Sequence, residues 1–253
     1  MFPELFSIGS FTLHSYGLML AMGFIVALLL LKRIAKILQL DTELITDAAT
    51  GSVIAGIVGA RLLYVLINLN SFIASPLSIF YLWEGGLVFF GGLIGGGIWL
   101  LYFAKKSNIP LLKFLDVFSP VLPLAHGFGR IGCFLAGCCW GKSTESFIGV
   151  RFTHPKTLCG TNLPVHPVQL YSAFFLCILS YILYRYLIRE KSEHGSSAAL
   201  YFIGYGVFRF FVEFLRGDDR GSSIWGFSPS QVMAIFLVGL ALFLFWKIRR
   251  DKA

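Results

Sequence analysis

The sequence predicts an all-α, polytopic membrane protein of seven transmembrane helices, and three observations carry that expectation. The first is composition: of 253 residues, 57% are hydrophobic and only 13% charged, against about 25% charged in an ordinary soluble chain. A mean hydropathy of +0.77 leaves too few polar side chains to cover a water-facing globule, and it excludes disorder, collagen, coiled coil and a disulfide-built scaffold. The second is that the apolar residues fall in continuous runs about 20 residues long, the length needed to cross about 30 Å of hydrocarbon. Barrel strands would alternate instead. The third is that the basic residues are sorted by side. The net charge of +8 therefore reads as cytoplasmic-loop lysine and arginine, not as a footprint for nucleic acid.

The elements follow in order. Residues 1–14 hold no Lys or Arg, so the charged start of a signal peptide is missing and the first run is expected to be retained. The seven runs cover 15–38, 46–67, 86–104, 111–128, 167–188, 198–216 and 229–247, in a single integral-membrane domain with 129–166 as an extracytoplasmic loop region. Lys32, Arg33, Lys36, Lys105, Lys106, Lys113, Arg185, Arg189, Lys191, Lys247, Arg249, Arg250 and Lys252 all fall on one side. The other side receives Lys142, Arg151, Lys156 and Arg220. The excess places the N-terminus outside and the C-terminus in the cytoplasm.

Four arginines remain, Arg61, Arg130, Arg209 and Arg216, within or at the ends of apolar runs and toward the outer half. An ionisable residue in hydrocarbon costs at least about 2.5–3.5 kcal/mol, so it usually faces a cavity or a pathway. In the sixth run Tyr205, Arg209, Glu213 and Arg216 share one helical stripe, which is either a buried ion-pair staple or a cradle for an anion, since guanidinium forks match phosphate oxygens. In the stretch from His126 to Lys142, Gly127, Gly129, Gly132, Gly137 and Gly141 surround Arg130. Glycines there can bring backbone N–H donors close to a ligand. The small residues of runs two and three read as close helix packing. Tyr16 is a belt aromatic or a site residue.

Cys133, Cys138, Cys139 and Cys159 face outward, and Cys177 lies in the fifth run. The C-x4-C-C spacing is not a metal-ligand pattern, so no metal is expected, while a disulfide from Cys159 to one of the earlier three is open. His14, His154 and His194 read as solvated loop residues. His166, Pro167, Gln169 and Tyr171 open the fifth run, with Pro167 suited to a first helical turn. Pro229 to Gln231 opens the seventh run with weaker chemistry, Gln231 reading as a cap or packing residue.

These residues, in this order along nearly the whole chain, resemble the phosphatidylglycerol–prolipoprotein diacylglyceryl transferase family. The matching segments are Tyr16-Gly17, Gly59-Ala60-Arg61 before Tyr64, Gly85-Gly86-Leu87 leading to Gly91-Gly92, His126-Gly-x-Gly-Arg130-Ile-Gly132, His166-Pro-x-Gln-Leu-Tyr171 and Tyr205-Gly-x-x-Arg209-x-x-x-Glu213-x-x-Arg216. The resemblance implies transfer of a diacylglyceryl group from phosphatidylglycerol to the lipobox cysteine thiol of a prolipoprotein, releasing glycerol phosphate at the outer leaflet of a bacterial inner membrane. Partners would be phosphatidylglycerol, a prolipoprotein lipobox peptide and membrane lipid, with no nucleic acid and no cofactor. On this reading Arg130, Arg209, His126, Tyr16 and Glu213 are catalytic. Arg61, Gly129, Gly132, Gly141, His166, Gln169, Tyr171 and Arg216 bind substrate.

The chain departs from the family at several positions. Phe90 stands where the family usually has histidine, Cys133, Ala136 and Cys138 where it has Asn, Asn and Glu, and Ser172 where it has Glu. The competing readings are an inactive or re-purposed relative and a non-enzymatic lipid-binding or transport protein. Orientation is the part of this account most open to direct test. Alkaline phosphatase fused after Ala253 is expected to be inactive, and periplasmic activity of that fusion would reverse the map.

Overall fold

The computed structural model describes residues 2–8, 11–81, 85–189, 193–218 and 226–250. Lys191, Arg220, Lys252 and Ala253, which enter the charge and orientation argument, lie outside the described residues. The chain forms two compact units, Met1–Ile34 with Leu115–Ala253, and Ala35–Phe114. Six helical stretches are long and apolar enough to cross a membrane: Ser15–Ile37, Thr42–Ile67, Leu111–Ala136, Val168–Leu187, Ser196–Leu215 and Pro229–Arg250. The helix at the third expected position, Phe89–Lys106, is shorter and carries five glycines and two terminal lysines, which lower its apolarity.

The all-α expectation needs one correction. Strands β1 (Glu4–Ile8) and β2 (Phe11–His14) pair antiparallel ahead of the first helix. Ser15 tethers this strand pair, donating its hydroxyl to Phe2 O, and Lys156, in the segment between α6 and α7, pairs with Glu4. Helix α1 (Ser15–Ile37) follows directly.

In the first unit, α5 (Leu111–Phe118) and α6 (Val121–Ala136) form one span broken at Ser119-Pro120. They pack with α7 (Val168–Leu187), α8 (Ser196–Val212) and α9 (Pro229–Arg250). The α6 helix runs eight residues past the predicted end of its span, so 129–136 is helical and not loop. It stops at Gly137, whose φ of 76° is the left-handed cap that a residue without Cβ takes at little cost.

The interior of this unit is unusually polar. Asp116 accepts from Gly195 N at 2.6 Å and Ala198 N at 2.8 Å, capping α8 from α5. Ser119 and Ser197 hydroxyls meet at 2.6 Å, and Ser180 donates to Pro120 O at 2.6 Å. Meanwhile Ile235, Phe236, Leu242, Phe243 and Trp246 of α9 point outward and are exposed. Polar residues within and large apolar residues without is the arrangement that lipid, as solvent, selects.

The second unit packs α2 (Thr42–Ile67) against α4 (Phe89–Lys106), with α3 (Leu69–Ala74) and a 3₁₀ turn (Pro76–Phe80) between them in sequence. Asp41 caps α2 by accepting from Glu43 N at 2.9 Å and Leu44 N at 3.1 Å. The α2–α4 contact is built from absent side chains. A Cβ at Gly91 would fall on the Gly59 carbonyl, one at Gly95 on the Ala55 carbonyl, and one at Gly51 on the Trp99 ring. In hydrocarbon such van der Waals closeness is the main drive for helix association.

That packing yields a stability prediction. Gly91→Val should separate α2 from α4 and destabilise by about 1–3 kcal/mol or more, as overpacked cores do. Gly97→Ala, where no atom stands within 4 Å, should leave the midpoint of thermal unfolding in detergent unchanged. Equal melting of the two variants would refute the packing account.

Candidate active site

The candidate site lies in the first unit and is assembled from α1, the end of α6, the 137–167 segment, the start of α7, the end of α8 and the start of α9. A backbone seam joins its distant pieces. Gly141 N donates to His166 O at 3.1 Å and His166 N to Lys142 O at 3.0 Å, while Lys142 N donates to Leu215 O at 2.8 Å and Gly217 N to Trp140 O at 3.1 Å. Three segments thus cross at Gly141, where a Cβ would strike the carbonyls of both His166 and Leu215. Gly141 is required by chain crossing, and through it the His166 and Arg216 segments are held side by side.

Two residues beyond the seam, α8 ends in a buried ion pair. Arg209 Nη1 lies 2.7 Å from Glu213 Oε2, one helical turn away, and both side chains are almost wholly enclosed. Arg209 Nη2 donates to Ser230 Oγ at 2.7 Å, and Ser228 Oγ donates to Glu213 Oε1 at 2.8 Å. Ser228 also caps α9: its hydroxyl accepts from Gln231 N at 3.2 Å while Gln231 Oε1 accepts from Ser228 N at 3.0 Å. The first turn of α9 thus orients both members of the pair. A 3₁₀ turn, Glu213–Leu215, then leads to Arg216. Its Nε and Nη2 each donate to an Asp218 carboxylate oxygen at 2.8 Å, the bidentate fork.

Arg130, half-buried near the end of α6, is held differently. Its Nε donates to His126 Nε2 at 3.1 Å, one turn back, and among the described residues its two terminal nitrogens take no partner. The His126 ring packs edge-on to Tyr205, 5.5 Å between centroids, and Tyr205 stacks on Tyr201. The His126 lone pair is thus spent on orienting Arg130, so this nitrogen is not a free base in the structure. Arg130 and Arg216 are both among the charged neighbours of Arg209.

The remaining expected residues fall into place less uniformly. Tyr16, at the start of α1, lies against Gly132, and Leu20 lies against Gly129. Those two glycines are buried within α6, so they serve close packing with α1. The expectation that they present backbone donors to a ligand is corrected, because the helix continues through them. Gln169 is fully buried and donates to Cys138 O at 2.7 Å; it ties the segment after α6 to α7. His166 Nδ1 and Tyr171 Oη approach to 3.3 Å at the start of α7. Ser172 is buried and bonds back to Val168 O.

Arg61 belongs to the second unit. Its guanidinium donates to the carbonyls of Ser78, Ile79, Tyr81, Gly85 and Gly86 at 2.6–3.3 Å, between the Tyr64 and Phe72 rings. It ties the 76–81 turn and Gly85-Gly86 to α2, and every N–H direction it has is used there. Phe90 lies in this unit also and is exposed. All five cysteines are free thiols, so no disulfide joins Cys159 to the earlier three; Cys159 Sγ instead faces Thr161 O at 3.5 Å.

Sequence reading undervalued Ser228, Ser230 and Asp218. A Ser two residues before a span's first apolar run was the available signal for the first two, and a carboxylate two residues past Arg216 for the third.

The family model described as prolipoprotein diacylglyceryl transferase matches residues 3–247. A Clostridium tetani protein named phosphatidylglycerol–prolipoprotein diacylglyceryl transferase is 40% identical over 245 residues, covering 97% of each chain. Proteins carrying that name from Clostridium perfringens (there numbered 2) and Proteus mirabilis are each 36% identical, covering 95% and 99% of this chain and 93% of their own. The chain belongs to the prolipoprotein diacylglyceryl transferase family.

Proposed function

We propose that this chain transfers the diacylglyceryl group of phosphatidylglycerol to the lipobox cysteine thiol of a prolipoprotein, releasing glycerol phosphate at the outer leaflet of a bacterial inner membrane. In this reading both units belong to one integral-membrane domain, α4 is a seventh span, and the N-terminus lies outside.

The observation that carries the reading is the charge balance of the site. Glu213 neutralises Arg209 and Asp218 neutralises Arg216, while Arg130 is tied only to a neutral imidazole. Of the site's three arginines, Arg130, Arg209 and Arg216, Arg130 is the one with no carboxylate partner among the described residues, and its terminal nitrogens are open. A phosphatidylglycerol phosphodiester carries one negative charge. Arg130 then receives the phosphate oxygens bidentately, and Arg209, fixed by Glu213 and Ser230, stands as the second donor.

In the reaction the acceptor sulfur, as thiolate, attacks the glycerol carbon that bears the phosphate. The new carbon–sulfur bond forms as the carbon–oxygen bond breaks, and the electron pair leaves on the phosphate oxygen. The phosphodiester monoanion becomes a monoester gaining a second negative charge. Preorganised guanidinium donors stabilise that charge more in the transition state than in the ground state. Tyr16, half-exposed at the outer end of α1, is placed to meet the acceptor peptide or headgroup.

The test is incubation of the purified chain in phosphatidylglycerol-containing micelles with a lipobox peptide, scored by peptide lipidation. Arg130→Ala should lower kcat by about 10²–10³, the cost of one oxyanion-type donor, and Arg209→Lys should fall nearly as far because it keeps charge and loses the fork. Wild-type rates in Arg130→Ala would defeat the phosphate clamp. His126 orients Arg130, so His126→Gln, which can still accept from Arg130 Nε, should retain more activity than His126→Leu and keep the acid limb of the pH–rate profile. Disappearance of that limb in the Gln variant would make His126 the base instead.

A further inference from the structure

Three thiols stand at this site with no part in the phosphate chemistry. Cys133 lies in the last turn of α6, and Gly137 then reverses the chain in left-handed conformation. Cys139 is itself left-handed, with φ of 62°, a backbone state that a side-chain-bearing residue occupies only when its surroundings impose it. The two reversals fold Cys138 and Cys139 back over the helix end, and all three sulfurs lie within 4.8 Å of one another. Cys138 Sγ approaches the Cys133 carbonyl at 3.7 Å. Buried Gln169 holds the Cys138 carbonyl at 2.7 Å, and Arg216 is the cation beside Cys139. The C-x4-C-C spacing shows none of this, because both reversals are properties of the folded turn.

Resting on the transferase reading, we propose that Cys133, Cys138 and Cys139 form a three-thiolate site for a soft divalent ion of the zinc type, whose fourth position receives the acceptor cysteine as thiolate. Zinc binds sulfur at about 2.3 Å, which in a tetrahedron sets sulfurs about 3.8 Å apart; the cluster needs about an ångström of contraction. Among the described residues no histidine or carboxylate completes the group. Structural zinc sites are closed by four protein ligands, whereas catalytic ones keep a position open.

The chemistry answers a specific need. The acceptor must react as thiolate, Phe90 offers no base, and the His126 lone pair is engaged by Arg130. A thiol entering the coordination sphere is deprotonated outright, its proton passing to solvent as those of the three ligand cysteines do. The metal keeps its oxidation state. After attack the acceptor sulfur is a thioether, a poor ligand for the ion, and the lipidated peptide departs. Arg216, beside Cys139, offsets part of the negative charge that three thiolates leave around a divalent ion.

The experiment uses the reduced full-length chain in detergent, stripped with chelator and dialysed against zinc or cobalt(II). One zinc per chain is expected, retained by Cys159→Ser and Cys177→Ser and lost from the triple Cys133→Ser, Cys138→Ser, Cys139→Ser variant. Cobalt should give thiolate charge-transfer absorption that shifts when a cysteine lipobox peptide is added and does not shift with its serine counterpart. No zinc in the reduced wild type, or equal zinc in the triple variant, overturns the site. Cobalt absorption indifferent to the cysteine peptide overturns the open acceptor position. Full lipidation by chelated, metal-free wild type overturns the metal's role and leaves the transferase reading standing. Metal and peptide binding with no lipidation under any condition supports the site and removes the transferase reading.

Discussion

A guanidinium cannot be left bare in hydrocarbon, and the end of α8 is organised around that constraint. Arg209 and Glu213 are both enclosed and 2.7 Å apart. Burying two charges costs several kcal/mol each, recovered only with good geometry and with their remaining valences satisfied. Ser230 and Ser228 supply those bonds from the first turn of α9. The pair therefore dictates where α9 begins, why that turn carries serines, and how α8 and α9 meet. It also holds the Arg209 guanidinium in one orientation.

The same constraint has a different outcome in the second unit. Arg61 is equally buried, yet it spends its donors on five backbone carbonyls. Buried arginines in this chain thus differ in what their nitrogens touch. Arg130 shows the contrast: one nitrogen is fixed by His126, and among the described residues the other two take no partner. Sequence position alone places all three arginines in the same category.

Most of the helical framework was legible because continuous apolar runs of membrane length have few alternative interpretations. The misreadings have physical causes. Glycines at 127, 129 and 132 suggested a loop, but in a bundle they let α1 and α7 approach α6, and the helix persists to Ala136. The β1–β2 pair was overlooked although short alternating runs stand on either side of Gly-Ser in the sequence, a composition that signals a turn. Within the site, Tyr205, Arg209 and Glu213 were visible at helical spacing, but the expected stripe does not reach Arg216, because α8 gives way to a 3₁₀ turn and Arg216 stands in extended backbone. The partners Ser228, Ser230 and Asp218 lie across a turn, where no periodicity announces a contact, and the convergence of three cysteines depends on left-handed residues at Gly137 and Cys139.

If Glu213 acts through Arg209, the two residues form one functional unit. A double-mutant cycle on kcat/KM for peptide lipidation, with Arg209→Ala, Glu213→Ala and the double variant, measures this directly. The account predicts that the double variant is impaired no further than Arg209→Ala alone, to within about twofold, because removing the carboxylate can do no more harm once its guanidinium is gone. Losses that multiply, with Glu213→Ala lowering activity by the same factor whether or not Arg209 is present, would contradict it.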